Sequence, residues 1–387
     1  MRFDTLLVHE GQSSQPVTGD VVPPIHVATT FDRSPQDPVT RFYGRGENPT
    51  REALESCLAA LEDAPFALTF SSGQAAAVAV LSLVPPGSKL VSSDDVYGGT
   101  YELFQTLGRF GIEVDYVDLA DPERRDAAIT PDVAMVWVET PTNPLLRIAD
   151  IAAISARASD VGALVVVDNT FATPVSQQPL ALGAQVSLYS TTKFIAGHSD
   201  VLGGALVYRD SALHERLLAH RSVTGAVPGA LDCYLTHRGL KTLSLRFARQ
   251  CANAASVAAS LGESPFVGAV HYPGHSDHPQ HDVAVRQMSS HGAMVSFAYL
   301  GDPETLLGGT RLFGAAVSLG AVRSLLALPA SMSHRAIPRD DLLRRGVTDN
   351  LVRLSLGIEH PADLIDDLSA AMRAGMRGHA REGADRP

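Results

Sequence analysis

Hydrophobic positions along the chain fall into three regimes. From Met1 to about Gly46, stretches such as VVPPIHVATTF and SPQDPVTRFYGRGENPT hold no sustained helical or strand period. This segment reads as an extended arm, and its apolar Val21, Val22, Ile25, Val27 and Phe31 mark it as lying against something, where a disordered tail is the alternative. A regular pattern then begins. Asn48 or Thr50 can cap a helix that carries Leu54, Leu58 and Leu61 on one face. Beyond it, short apolar runs (FALTF, SKLVSS, EVDYVDL, AMVWVET, ALVVVDNT, VSLYSTT, GGALVYR) alternate with helical or turn segments. Runs such as Val165-Val166-Val167 suit strands covered on both faces, as in a mostly parallel sheet between helices. Near Thr236–Gln250 the pattern becomes one long amphipathic helix, followed by fewer strands (AVHYP, AMVSFAYL, AAVSL, LVRLSLGI) mixed with helices. The reading is an arm over 1–46, a large α/β domain over 47–240 and a smaller α+β domain over 241–387.

Composition agrees with that division. The 387 residues exceed the roughly 250–300 at which a single core stops growing. A net charge of −11, with no basic run, argues against a nucleic-acid partner. The three cysteines, Cys57, Cys233 and Cys251, are odd in number and far apart, which fits free thiols in a reducing cytoplasm. No apolar run approaches a membrane span, and Asp4, His9 and Glu10 interrupt any leader-like stretch. The expectation is a soluble cytoplasmic protein without a membrane partner.

Several segments carry chemistry. In FALTFSSGQAAAV a strand runs through Ser72, Gly73 and Gln74 straight into a helix, whose free N–H groups can hold a phosphate; the same residues also serve an ordinary strand–turn–helix junction. In VSLYSTTKFIAGHSD the hydroxyls of Ser190, Thr191 and Thr192 precede Lys193, which apolar surroundings suit to Schiff-base chemistry, unless it is a surface lysine at a strand end. Asp168 follows a buried strand 25 residues earlier, so both fall at carboxyl ends of strands, where open α/β sheets bind ligands. A Schiff-base lysine, an acid for a pyridinium nitrogen and a phosphate-binding helix start are together what pyridoxal phosphate requires. Tyr97, beside Gly98 and Gly99, can stack on a flat ring, and Asn143 can reach its phenolic oxygen. Arg353, on an otherwise apolar strand, suits a substrate carboxylate or a salt bridge at a sheet edge. The histidines His271, His275, His278 and His281 lie in a proline-containing loop with no regular ligand spacing, so no metal is expected.

Taken together, RFYGRGENPT, SSGQAAA, DVYGGT, ETPTNP, VDNTFATP, STTKFIAGHSD, RGLKTL, YPGHSDHPQH and RLSLGIEHPADLI resemble, in order and over nearly the whole chain, the Cys-and-Met metabolism family of pyridoxal-phosphate enzymes. That family comprises cystathionine γ-synthases, cystathionine γ-lyases, methionine γ-lyases and relatives. The resemblance implies the aspartate-aminotransferase-like fold of fold type I and a homotetramer built from catalytic dimers. It implies that Lys193 carries the cofactor, that Asp168 pairs with the pyridinium nitrogen, and that Tyr97 stacks on the ring and moves protons at the substrate's γ side. Ser72, Gly73, Gln74, Ser190 and Thr192 would hold the phosphate, completed by Tyr43 and Arg45 of a neighbouring subunit, which accounts for the arm. Arg353 would hold the carboxylate of a small amino-acid substrate, helped by Ser318 and Asn143.

The departures bear on the substrate. Synthases and cystathionine γ-lyases of the family usually carry Glu where AAVSLGAVRSL has Val317. An apolar side chain there suits a substrate without a distal charge, as in methionine γ-lyases, which LPASMSH also resembles. In the other direction, Gly99 stands where methionine γ-lyases usually have Cys, and GAVPGALDCYLTHRGLKTL looks more like cystathionine γ-lyase. Gln74 stands where Met is common and Gly44 where Ser is common; neither change removes a catalytic group. The expected reaction is γ-elimination on methionine or homocysteine, with a slighter case for cystathionine. The alternative is γ-replacement on an O-acylhomoserine.

Overall fold

The computed structural model describes residues 1–12, 18–32 and 41–384, with 377–384 as backbone only. Parts of the arm reading at 13–17 and 33–40, and the chain end at 385–387, lie outside the described residues. Within the arm the structure departs from the extended reading, because Phe3–His9 is helical. Seven residues give little period to read, but Leu7 is only 1% exposed and packs with Leu54, Leu58 and Leu61 of the helix Pro49–Leu61, so tertiary burial stabilises the turn. That second helix starts at Asn48, whose side chain accepts the N–H groups of Thr50 and Arg51.

A seven-stranded sheet follows, made of β1 (Phe66–Phe70), β2 (Lys89–Ser93), β3 (Glu113–Val117), β4 (Val133–Glu139), β5 (Leu164–Asp168), β6 (Val186–Tyr189) and β7 (Gly204–Tyr208). Its order is β1-β7-β6-β5-β4-β2-β3, and only β7 runs against the others. Val165, Val166 and Val167 are fully buried because both faces are covered: Val166 joins the cluster under the helices Gly73–Leu81 and Gly98–Gln105, while Val165 and Val167 pack under Ile151–Val161. Each such side chain contributes about 1.5–3 kcal/mol of burial. An α/β unit with a mostly parallel sheet is therefore present as the sequence pattern predicts.

The long helix expected near Thr236–Gln250 is two helices, Ala230–Leu240 and Leu243–Gly262. The ladder breaks where Lys241 and Thr242 bond three residues back, to Arg238 and Gly239, and the Gly239 carbonyl also accepts the Arg246 guanidinium. A second sheet, β8 (Val267–His271), β9 (Met294–Tyr299), β10 (Gly314–Ala315), β11 (Leu325–Ala327) and β12 (Leu351–Ser355), has the order β10-β11-β12-β9-β8. Of the AAVSL run only Ala315 enters a strand, the two-residue β10, and β11 adds a strand too short to carry a period. Helix Leu243–Gly262 and the last helix, Pro361–Ala384, enclose the core of this sheet. No helix among the described residues is long and apolar enough to cross a membrane.

Candidate active site

The carboxyl ends of β1, β4, β5 and β6 and the β10–β11 connection meet at one cavity of about 650 Å3. Ser72, Gly73, Gln74, Tyr97, Asn143, Asp168, Ser190, Thr192, Lys193, Val317, Ser318 and Arg353 all line it. Tyr43 and Arg45 do not. They sit together in the arm, with Tyr43 41% exposed and the Arg45 guanidinium 5.4 Å from its ring centre.

At one end lies the start of helix Gly73–Leu81. Ser72 Oγ caps it by accepting the Ala75 N–H at 3.0 Å, while the first-turn N–H groups of Gly73 and Gln74 have no helical acceptor. A Cβ at Gly73 would stand 2.9 Å from Ser190 Cβ, so glycine lets the helix start close against the end of β6. Backbone donors and the Ser190 hydroxyl thus form a cradle for an anion. The Ser190 N–H is held by Thr170 Oγ1, and the Thr192 hydroxyl exchanges bonds with the backbone of Gly203.

Lys193 Nζ donates to Ser318 Oγ at 3.0 Å. Burial, reinforced by the positive Arg353 and opposed by Asp168, pushes its amine down to about 8, so about a tenth of it is neutral near pH 7. Asp168 ends β5 and accepts the Thr170 N–H at 3.1 Å. Its carboxyl is pushed up by burial and pulled back by the Thr170 bonds and by Lys193. Tyr97 presents a ring that is 42% exposed, at the start of helix Gly98–Gln105.

Opposite these, Arg353 projects from β12, 3% exposed. Its guanidinium donates to Asn143 Oδ1 at 2.8 Å and to the Ser318 carbonyl at 3.0 Å, and its buried Nε has no partner among the described residues. Burial pushes it down to about 10, which leaves it charged. His334 fixes this corner by bonding the Asn143 carbonyl through Nε2 while Nδ1 meets the Ser333 hydroxyl. Burial and Arg353 push His334 down to about 4, so it is neutral and donates from Nε2.

Three charged residues of the cavity escaped the sequence reading. Glu139 lies inside the quoted AMVWVET and ETPTNP, but neither it nor Glu102 nor Arg335 is singled out by the sequence pattern. Spacing gave no signal for any of them.

Residues 4–373 match the family described as Cys/Met metabolism PLP-dependent enzyme. Over 378 residues the chain is 48% identical to the cystathionine γ-synthase of Mycobacterium tuberculosis (strain ATCC 25618 / H37Rv), covering 95% of this chain and 96% of that protein. It is 43% identical over 379 residues to the cystathionine γ-lyase of Bos taurus, covering 96% and 94% respectively. The crystal structure of CalE6 from Micromonospora echinospora, described as a cystathione γ-lyase, superposes with a TM-score of 0.95 at 60% identity, over 97% of this chain and 100% of that one. An apo form, described as a methionine γ-lyase, gives 0.92 at 60% identity, over 96% and 99%. Pyridoxal phosphate fits the residues present. The cradle at Gly73 matches a phosphate, the buried amine of Lys193 a carbonyl, Asp168 a ring nitrogen, and the unpartnered Arg353 Nε an incoming carboxylate.

Proposed function

The chain belongs to the Cys/Met metabolism family of PLP-dependent enzymes, and within it we propose a carbon–sulfur γ-lyase acting on sulfur amino acids. The observation that carries this reading is that one residue, Ser318, holds both working cations: its hydroxyl accepts Lys193 Nζ and its carbonyl accepts Arg353. The amine that handles protons and the guanidinium that grips a carboxylate are therefore set at a fixed spacing.

When bound, pyridoxal phosphate supplies the electron sink for charge developing at the substrate's Cα. Gly73, Gln74 and Ser190 hold its phosphate, and Asp168 keeps a negative charge at its ring nitrogen. Arg353, oriented by Asn143 and Ser318, takes the substrate's carboxylate and so aims the Cα–H at Lys193. Lys193 removes that proton in its neutral form and then moves one at Cβ; Tyr97 gives a proton to the departing γ sulfur. With one water consumed, the products are 2-oxobutanoate, ammonia and a thiol.

Val317, 55% exposed at the mouth, supports methionine and homocysteine, which carry no distal charge. The 60% identity to CalE6, described once as a cystathione γ-lyase and once as a methionine γ-lyase, supports a γ-lyase acting on methionine or on cystathionine. A γ-replacement reading draws its support from the 48% identity to a cystathionine γ-synthase. One experiment separates these. 2-Oxobutanoate release is measured from methionine, homocysteine and cystathionine, and cystathionine formation from O-acylhomoserine plus cysteine. A kcat/KM for replacement well above every elimination overturns the lyase reading, and Lys193→Ala abolishes whichever activity is present.

The exposed Tyr43 and Arg45, which do not line their own cavity, support a homotetramer of catalytic dimers in which each arm completes a neighbour's phosphate site. Three unpaired cysteines support a cytoplasmic setting. The arm over 1–46, the α/β unit over 47–240 and the α+β unit over 241–387 are the division that this reading uses.

A further inference from the structure

Glu139 ends β4 directly opposite Asp168 in the sheet register, and none of the steps above uses it. Its side chain is 4% exposed and lines the cavity. Its Oε2 accepts the backbone N–H of Tyr97 at 2.9 Å. Tyr97 stands at the cap of helix Gly98–Gln105 with no side-chain capping bond, so this contact ties the residue that bears the phenol to the central sheet. The Glu139 N–H meets Ser93 Oγ at 3.2 Å, which seats the end of β4 against the end of β2. A carboxyl in such a place, held at the end of β4 and bonded to the start of the helix that carries the phenol, has the geometry of a strut.

We propose that Glu139 is a positioning residue for Tyr97, its carboxyl fixing the Tyr97 backbone against β4 and thereby setting the height and tilt of the phenol over the cofactor ring. The proposal rests on the reading of Tyr97 as the ring-stacking residue. The charges that face Glu139 are Asp168 and Asp95, both negative, and Arg353. Burial first, then Asp168, raises the Glu139 carboxyl well above the ordinary range. A neutral carbonyl oxygen is enough to accept the Tyr97 N–H, so Gln is the close substitute, whereas Met keeps the bulk and removes the acceptor.

The test uses the holoenzyme and the variants E139Q, E139M and Y97A. Circular dichroism in the visible band of the bound cofactor, kcat and KM taken separately, and the melting transition are measured. Expected for E139M is a visible dichroism reduced by half or more and a kcat lower by roughly tenfold, with KM within about twofold, because the missing bond acts on orientation and not on substrate binding. E139Q keeps the dichroic band and a kcat within about threefold of the parent. Y97A shows the same loss of dichroism as E139M. An E139M enzyme with parental dichroism and kcat, beside an impaired Y97A, overturns the role of Glu139 alone. A Y97A enzyme with parental dichroism overturns the stacking reading and this proposal with it. Should E139M lack a melting transition, E139Q still decides, because an altered dichroic band in that variant overturns the proposal.

Discussion

Lys193 Nζ lies 3.0 Å from Ser318 Oγ, and Ser318 holds that position with its backbone at φ 92°, in the left-handed region that glycine favours. A non-glycine residue there costs on the order of 1–3 kcal/mol, so the structure spends backbone strain on the placement of one amine. Ser318→Gly should melt a few degrees higher while losing about tenfold in kcat/KM, and Ser318→Ala should lose activity without gaining stability. Calorimetry and steady-state kinetics on both variants check this. A Gly variant no more stable than the parent sinks the strain account.

The depressed Lys193 amine predicts how the apoprotein takes up its cofactor. Only the neutral amine attacks a carbonyl, and the neutral form grows as pH rises through the group's pKa. Covalent capture of added pyridoxal phosphate should therefore accelerate with pH and level off above about 8, the value that burial and Arg353 impose. Stopped-flow absorbance on apoprotein reads the profile directly. A rate still climbing steeply at pH 10 would mean that the lysine is an ordinary one.

Val317 predicts a change in substrate choice. Placing a carboxylate there gives a distal ammonium a partner, worth only about 1 kcal/mol because the position is 55% exposed. Val317→Glu should raise the ratio of kcat/KM for cystathionine over methionine by roughly fivefold. An unchanged ratio removes Val317 from the account of specificity.

A pH dependence of stability follows from Glu62, buried behind β6, where it accepts the Tyr189 hydroxyl. Burial, against the bond from the Tyr189 hydroxyl, pushes its carboxyl from 4.5 up to about 7. Between those values the unfolded chain releases the proton and the native one retains it, so stability falls as pH rises from about 4.5 to about 7 and levels off above. The loss amounts to about 3 kcal/mol. Glu62→Gln should flatten that part of the melting-temperature profile. A parental slope in the variant assigns the effect to another group.

How much of this was legible in the sequence depends on the length of the signal. Strands buried on both faces, such as Leu164–Asp168, announce themselves as β-branched runs, so the parallel sheet was readable, and with it the carboxyl-end positions of Asp168 and Lys193. The seven-residue helix at Phe3–His9 and the three-residue β11 were not, because elements this short form through tertiary contact and leave no period. The break after Leu240 was hidden for a different reason: the amphipathic pattern continues across it, and the Arg246 bond that helps make it lies between residues of two helices. Cavity residues with a motif or an unusual side chain on an apolar strand, such as Arg353, were found. Glu139 was not, since nothing in its spacing says that Tyr97 approaches it across 42 residues of chain.

Gly320 has φ +83°, and a Cβ there would come within 2.5 Å of the Phe194 nitrogen, next to Lys193. The connection that carries Val317 and Ser318 is thus pinned onto the peptide that carries the lysine. For directed evolution this defines what a library can touch. Side chains at 317 are free to explore leaving groups, because their changes end at the pocket mouth. A one-residue insertion or deletion between 317 and 320 would instead lever the lysine itself, so new substrates should be sought by exchange of residues and not by changes of loop length.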